Sequence, residues 1–174
     1  TLLEILITMA LSVVLLLAIV QLYIVYGRVV VYQQSSIGVT LGGSALMDAT
    51  RTMGLQARSV VASHVFSGVE YTSGTTTVIF ELPAVDASGA SIAGVYDYVG
   101  ISASGTNAYR FIDATPASAR SSGEKRLTDM LESLSFTYDS PNFPSITQVT
   151  VAATTSTVVR GDTLEVHLRE HIYL

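Results

Sequence analysis

The sequence predicts an α+β fold in which one long N-terminal helix packs against a C-terminal antiparallel β-sheet. The first observation is an apolar and then amphipathic stretch that reaches about residue 64 without a proline, the first being Pro83. The second is a change of composition after His64 to Thr, Ser, Gly, Val and Tyr, with period-two alternation and turn signals. Helix and strands are therefore segregated along the chain.

The N-terminal stretch up to residue 28 is long and apolar enough to cross a membrane. Between residues 5 and 27 there is no charged side chain, which corresponds to about 35 Å of helix. Tyr23, Tyr26 and Arg28 close the run, as is typical of a membrane–water interface. Small residues along this stretch would allow other helices to approach closely: Ala10, Ser12, Ala18 and Gly27. We interpret residues 1–28 as a transmembrane or filament-core helix.

Two other interpretations of this stretch are less favoured. A signal peptide would need a basic start and a prompt cleavage site, whereas this start carries an acid and no base. A fully buried core helix would need more surrounding chain than the remaining residues offer.

The second half of the helix is predicted to be amphipathic over residues 29–64. A helical period places several apolar side chains on one face: Leu46, Met53, Ala57, Val60 and Val61. Glycine is unfavourable in a helix interior by about 1 kcal/mol relative to alanine. We therefore expect a bend or loosened turn at Gly38, Gly42 and Gly43.

Residues 65–174 are predicted to form the β-sheet domain. The alternating segments are 77–82, 96–102, 108–112, 133–139, 146–153 and 163–172. The last two are expected to form a hairpin around residues 160–162, with Leu164, Val166 and Leu168 facing inward. A short helical turn is expected at residues 127–131.

The composition and motifs favour no enzyme and no cofactor. The absence of cysteine excludes disulfides, thiolate nucleophiles and Cys-based metal sites. The net charge of −5 gives no general basic surface, so no clear nucleic-acid site is predicted. His167-Leu-Arg-Glu-His171 matches a zinc-protease pattern, but that pattern needs a helix and this segment alternates as a strand. We therefore predict no catalytic and no metal site.

The opening TLLEILITMALSVVLLLAIVQLY resembles the N-terminal methylation motif of type IV pilins and type II secretion pseudopilins. In that family the mature chain usually begins with a methylated phenylalanine, then Thr-Leu-x-Glu and an apolar helix. Thr1, Leu2 and Glu4 match, and the phenylalanine would precede Thr1. SLSFTYD and the ending LREHIYL are similar to the larger minor pilins and pseudopilins. Unlike many major pilins, the chain has no helix-breaking proline near Gln21–Leu22 and no C-terminal disulfide loop.

The resemblance implies a pilin, a structural subunit of a type IV pilus-like extracellular filament that is held in the cytoplasmic membrane before assembly. Its implied partners are neighbouring copies in a helical filament, a prepilin peptidase, an assembly ATPase and a platform protein. The alternatives are a minor pilin or pseudopilin of a secretion or DNA-uptake filament, and a single-pass membrane-anchored binding domain.

Glu4 has two interpretations. Thr1 and Glu4 have the spacing of a capping box, in which the carboxylate closes its own helix. The resemblance to pilins favours a second role, in which the Glu4 carboxylate meets the N-terminal amine of a neighbouring subunit in the filament core. Both roles are compatible at different stages.

Overall fold

The computed structural model describes residues 1–174 and has the α+β architecture that the sequence predicts. Helix α1 spans Leu2–Gly54, and its 53 residues make it about 80 Å long. A single 3₁₀ turn occupies Phe143–Ser145. The strands are β1 Ser59–Val60, β2 Ser63–Phe66, β3 Val69–Thr72, β4 Thr77–Val85, β5 Ser91–Ser104, β6 Asn107–Asp113, β7 Gly123–Thr128, β8 Leu131–Tyr138, β9 Gln148–Val159 and β10 Asp162–Tyr173.

The helix ends at Gly54, so its amphipathic half covers residues 29–54 and the predicted extension to residue 64 is wrong. Val60 and Val61 fit a helical stripe and a short strand equally well. The backbone N–H groups of Arg58 and Val61 donate to carbonyl groups of β4, at 2.8 and 3.0 Å. Because β-branched valines are favoured in a sheet and slightly disfavoured in a helix, this pairing prevails.

The strands form three antiparallel sheets rather than the single sheet expected. The largest has the order β1-β4-β5-β6-β7, the second has the order β10-β9-β8, and β2 and β3 form a separate hairpin. The second half of α1 packs mainly against β9 and β10, with β7 beside them. A shared core joins the helix to both larger sheets, and it includes Leu46, Phe80, Val99, Phe136 and Val151.

The predicted helical turn at residues 127–131 is also wrong. Leu127 and Thr128 end β7, and Leu131 begins β8 after a tight turn. Thr128 pairs with Ala108 of β6, and the N–H of Leu131 donates to the carbonyl of Thr106 at 2.8 Å. The spacing of the apolar residues in this segment suits a helical turn, but strand pairing on both sides of residues 129–130 overrides it.

The C-terminal hairpin is confirmed. Val159 pairs with Asp162 across a two-residue turn in which Arg160 and Gly161 have φ angles of 55° and 95°. Two successive positive φ angles are characteristic of the type I′ turn, whose twist matches that of the flanking strands. The apolar side of β10 is partly buried against the rest of the fold, whereas Glu165, His167 and Arg169 are exposed.

Candidate functional site

The first half of α1 has no covering from its own chain. Every large apolar side chain from Leu2 to Tyr26 is at least 42% exposed. The most apolar 18-residue window of the helix has a mean hydropathy of 2.7, and none of it is buried. Leaving a side chain such as Leu or Ile in water instead of burying it costs roughly 1.5–3 kcal/mol. The helix is long and apolar enough to cross a membrane.

The polar side chains inside this apolar half are satisfied by the helix itself. The Thr8 hydroxyl donates to the carbonyls of Glu4 and Ile5 at 2.7 and 2.9 Å, and the Ser12 hydroxyl donates to the carbonyl of Thr8 at 2.8 Å. Such bonds remove the main penalty of placing a hydroxyl in an apolar environment. The polar interruptions therefore do not prevent the segment from entering lipid or a bundle of helices.

Glu4 lies at the exposed start of the helix, where its side chain is 76% exposed. The backbone nitrogen of Thr1 donates to the Glu4 carboxylate, which is the return bond of a capping box. A carboxylate in the first turn is also favoured by the helix dipole. The capping interpretation thus describes the isolated chain, and the pairing with a neighbouring subunit stays a prediction.

The small residues expected to permit close helix packing lie on the uncovered half. Ala10, Ser12 and Ala18 are exposed, and a Cβ added at Gly27 would meet nothing within 4 Å. No neighbouring helix is present, so their role in helix packing stays a prediction. Arg28 follows Gly27 directly and is also exposed.

The glycines of the second half lie where the helix touches the sheets. The helix is continuous through Gly38, Gly42 and Gly43, so the bend expected there stays a prediction. What the structure reveals is close approach. A Cβ built on these glycines would lie 3.4 Å from Met130 Cε at Gly38, 2.5 Å from Thr128 Oγ1 at Gly42, 2.7 Å from Leu168 Cδ1 at Gly43 and 2.5 Å from Ile172 Cγ2 at Gly54.

The two histidines of the zinc-protease-like pattern are exposed on the outward side of strand β10. His167 Nδ1 lies 3.0 Å from the Thr154 hydroxyl, and His171 Nδ1 lies 2.8 Å from the Thr150 hydroxyl. Each histidine is therefore paired across the ladder with its own threonine on β9. No group of three or more His, Asp or Glu side chains is arranged to hold a metal ion.

A buried ion pair that the sequence analysis missed holds residues 114–122 against β5. The Asp97 carboxylate is fully buried and accepts bonds from Arg120 Nη1 at 2.8 Å, the Ser118 hydroxyl at 2.7 Å and the Thr115 N–H at 2.9 Å. Burial by itself would raise the pKa of Asp97, but the hydrogen bonds from Ser118, Arg120 and Thr115 outweigh burial and lower that pKa. Arg120 also donates to Gln56 Oε1 at 3.1 Å, which ties this segment to the end of the helix.

The signal that could have revealed this pair is the strand period. Asp97 has the same parity as Val99 and Ile101 in β5, and both of those side chains face the core. An acid at an inward position requires a buried partner.

Comparison of the chain with protein-family models, with curated proteins and with solved structures found no match.

Proposed function

We propose that the protein is a pilin-like structural subunit that is anchored in the cytoplasmic membrane and then assembles into an extracellular filament. The observation that carries the proposal is the division of one helix into two environments. Its second half is packed against the sheets, and its first half exposes a long, predominantly apolar surface. A helix of this kind needs an apolar environment that this chain does not supply.

Lipid and neighbouring helices would supply that environment in turn. Before assembly the bilayer covers residues 1–28 and the sheet domain lies outside the membrane. In the filament the same apolar halves pack against one another. Lipid is as apolar as leucine, so assembly must gain from close packing, small residues and charge pairing. The small residues that meet this need are Ala10, Ser12, Ala18 and Gly27.

The charge that would take part is Glu4. In the isolated chain its carboxylate is exposed and bonds only to its own helix start. In a filament core without water the charge needs a cationic partner, and the amine of a neighbouring subunit would be such a partner. The resemblance of the opening stretch adds a prepilin peptidase, an assembly ATPase and a platform protein as partners. The protein acts by assembly, without catalysis and without a cofactor.

The decisive experiment is to shear fibres from cells that produce the protein and to analyse the purified fibres by electron microscopy and mass spectrometry. A structural subunit is the bulk component of such fibres. A minor pilin or pseudopilin would be present in traces relative to another chain. A membrane-anchored binding domain would be absent from the fibres and present in the membrane fraction, and that result would overturn the proposal.

A further inference from the structure

A shallow depression lies on the outer face of the three-stranded sheet, on the side away from the helix. Its volume is about 260 Å³. Its floor is Ala152, whose small side chain lies between two longer ones in the cross-strand row Arg169–Ala152–Ser135. The next row is His167–Thr154–Ser133. The depression is therefore a product of strand register, and it is independent of the exposed half of the helix.

The polar side chains that line the depression can all donate a hydrogen bond, and Arg169 can only donate: Ser133, Ser135, Thr154, His167 and Arg169. No carboxylate lines it. This is unusual for a chain whose net charge is −5. An exposed strand face with mixed charges is the ordinary arrangement, and there acids and bases alternate. The lining instead combines one positive charge with rotatable hydroxyls, and this combination suits a negatively charged acceptor.

The two acids nearest in sequence to Arg169 contact other side chains and not its guanidinium. Glu170 lies on the opposite side of the strand and pairs with Arg51 of the helix at 3.3 Å. Glu165 contacts Nε2 of His167 at 3.5 Å. Arg169 itself forms no ion pair and no side-chain hydrogen bond, and it is exposed. Its guanidinium is free to bind a ligand.

We propose that this depression binds a tetrahedral oxyanion, a phosphate or sulfate group. A planar guanidinium matches such a group with two parallel N–H bonds, and the serine and threonine hydroxyls can rotate to donate to the remaining oxygens. His167 is held by Thr154 at Nδ1 and faces the Glu165 carboxylate at Nε2, so the donors to the oxyanion are Arg169 and the hydroxyls. The small floor at Ala152 leaves room for the oxygens to approach the sheet.

The ligand class is either a free anion or a polymer that carries phosphate or sulfate groups. A single exposed site of this kind binds weakly, because the pairs remain accessible to water and salt. If the chain assembles as proposed above, many copies along one fibre would convert weak sites into tight binding to a polymer. The site itself does not depend on assembly, so its test is separate from that of the filament.

The test uses the full chain in uncharged detergent micelles, titrated with sodium phosphate against sodium chloride at constant ionic strength. Backbone and Arg side-chain N–H signals are followed by NMR. We expect saturable shifts confined to β8, β9 and β10, with a dissociation constant in the millimolar range. Arg169→Gln should weaken binding about tenfold or more. Ala152→Leu, which fills the floor, should abolish it.

The matched control is Arg160→Gln, which removes the same charge from the exposed turn of the same hairpin. This residue lies roughly 30 Å along the strand from Arg169. Phosphate binding by this variant should stay within twofold of that of the original chain. Equal weakening by both arginine variants, or shifts that never saturate, would mean general charge attraction and would overturn the site.

Retention on immobilised polyphosphate and on dextran sulfate, with neutral dextran as the reference, identifies the source of the anion. Preferential retention on either charged polymer, lost in Arg169→Gln, supports the proposal. Equal retention on neutral dextran contradicts it.

Discussion

Gly54→Ala tests whether the helix is held to the sheet by close approach. The added methyl group would lie 2.5 Å from Ile172 Cγ2, and Ile172 is only 2% exposed. The Cγ2 methyl of Ile172 is bonded to the branched β-carbon, so rotation about χ1 cannot easily move it away. Overpacking a core in this way costs typically 1–3 kcal/mol, whereas the gain in helix propensity is at most about 1 kcal/mol. We expect a net loss of about 1–2 kcal/mol in the free energy of unfolding.

The assay is thermal unfolding of the full chain in uncharged detergent, followed by near-ultraviolet circular dichroism of the tyrosines. A loss of this size lowers Tm by roughly 2–8 °C for a chain of this length. Gly27→Ala is the matched control, because its added methyl meets nothing within 4 Å, and it should not lower Tm.

A second variant makes the test specific. Ile172→Leu moves the branch of the side chain one carbon outward and keeps its volume. The pair Gly54→Ala and Ile172→Leu should therefore be less destabilised than the sum of the two single changes. An unchanged Tm in Gly54→Ala, or strict additivity in the double variant, would refute the reasoning that glycine is required here for close packing.

Four further predictions concern assembly, the ion pair, the independent folding of the sheet domain and the contact of Tyr138 between the two larger sheets. Glu4→Gln should keep normal membrane levels by blot but sharply reduce sheared fibres, because Gln can cap a helix but has no negative charge to balance an ammonium group. Abundant fibres would mean that Glu4 is only a helix cap. Asp97→Asn should cost about 3–5 kcal/mol at neutral pH by leaving Arg120 without its counter-charge. Because the folded pKa of Asp97 is lowered, its stabilisation is present at neutral pH and lost as pH falls, so urea unfolding should depend less on pH in the acid range for the variant than for the original chain. Removal of residues 1–28 should leave a soluble monomer with a cooperative thermal transition, and aggregation of that fragment would contradict the domain division. Tyr138→Phe should cost about 0.5–1.5 kcal/mol in denaturant unfolding, because the partly buried carbonyls of Gly74 and Thr77 lose their shared hydroxyl donor, and an unchanged midpoint would contradict this.

The sequence predicted the elements whose pattern is long and unambiguous. The uncharged stretch before Arg28 forms the first half of helix α1, and the alternating segment near the C-terminus forms strand β10. The end of the helix was missed because Val60 and Val61 satisfy two periods at once, and only the partner strand β4 decides between them. A partner that is distant in sequence cannot be identified from local spacing.

The role of the glycines was missed for a related reason. Helix propensity describes what glycine costs within the helix, and it says nothing of what lies outside it. The contact of Gly54 with Ile172 depends on the packing of two elements that are far apart along the chain. The depression over Ala152 is likewise invisible in sequence, because it depends on the register between β8, β9 and β10.

Within its second half, the helix contacts the sheet domain along Gly38–Gly54, where its buried residues lie. The part from Leu2 to Ile37 therefore projects about 55 Å beyond the sheet domain, and the attached part is less than half that length. A change of 10° in the angle between the helix and the sheet domain displaces the N-terminus of the helix by roughly 10 Å. Mutations at the contacts between the helix and the sheets should thus alter the position of the sheet domain relative to the N-terminus of the helix, even when they leave the domain folded. The close contacts at the glycines limit the range of this angle, and they fix the direction in which the exposed half of the helix projects.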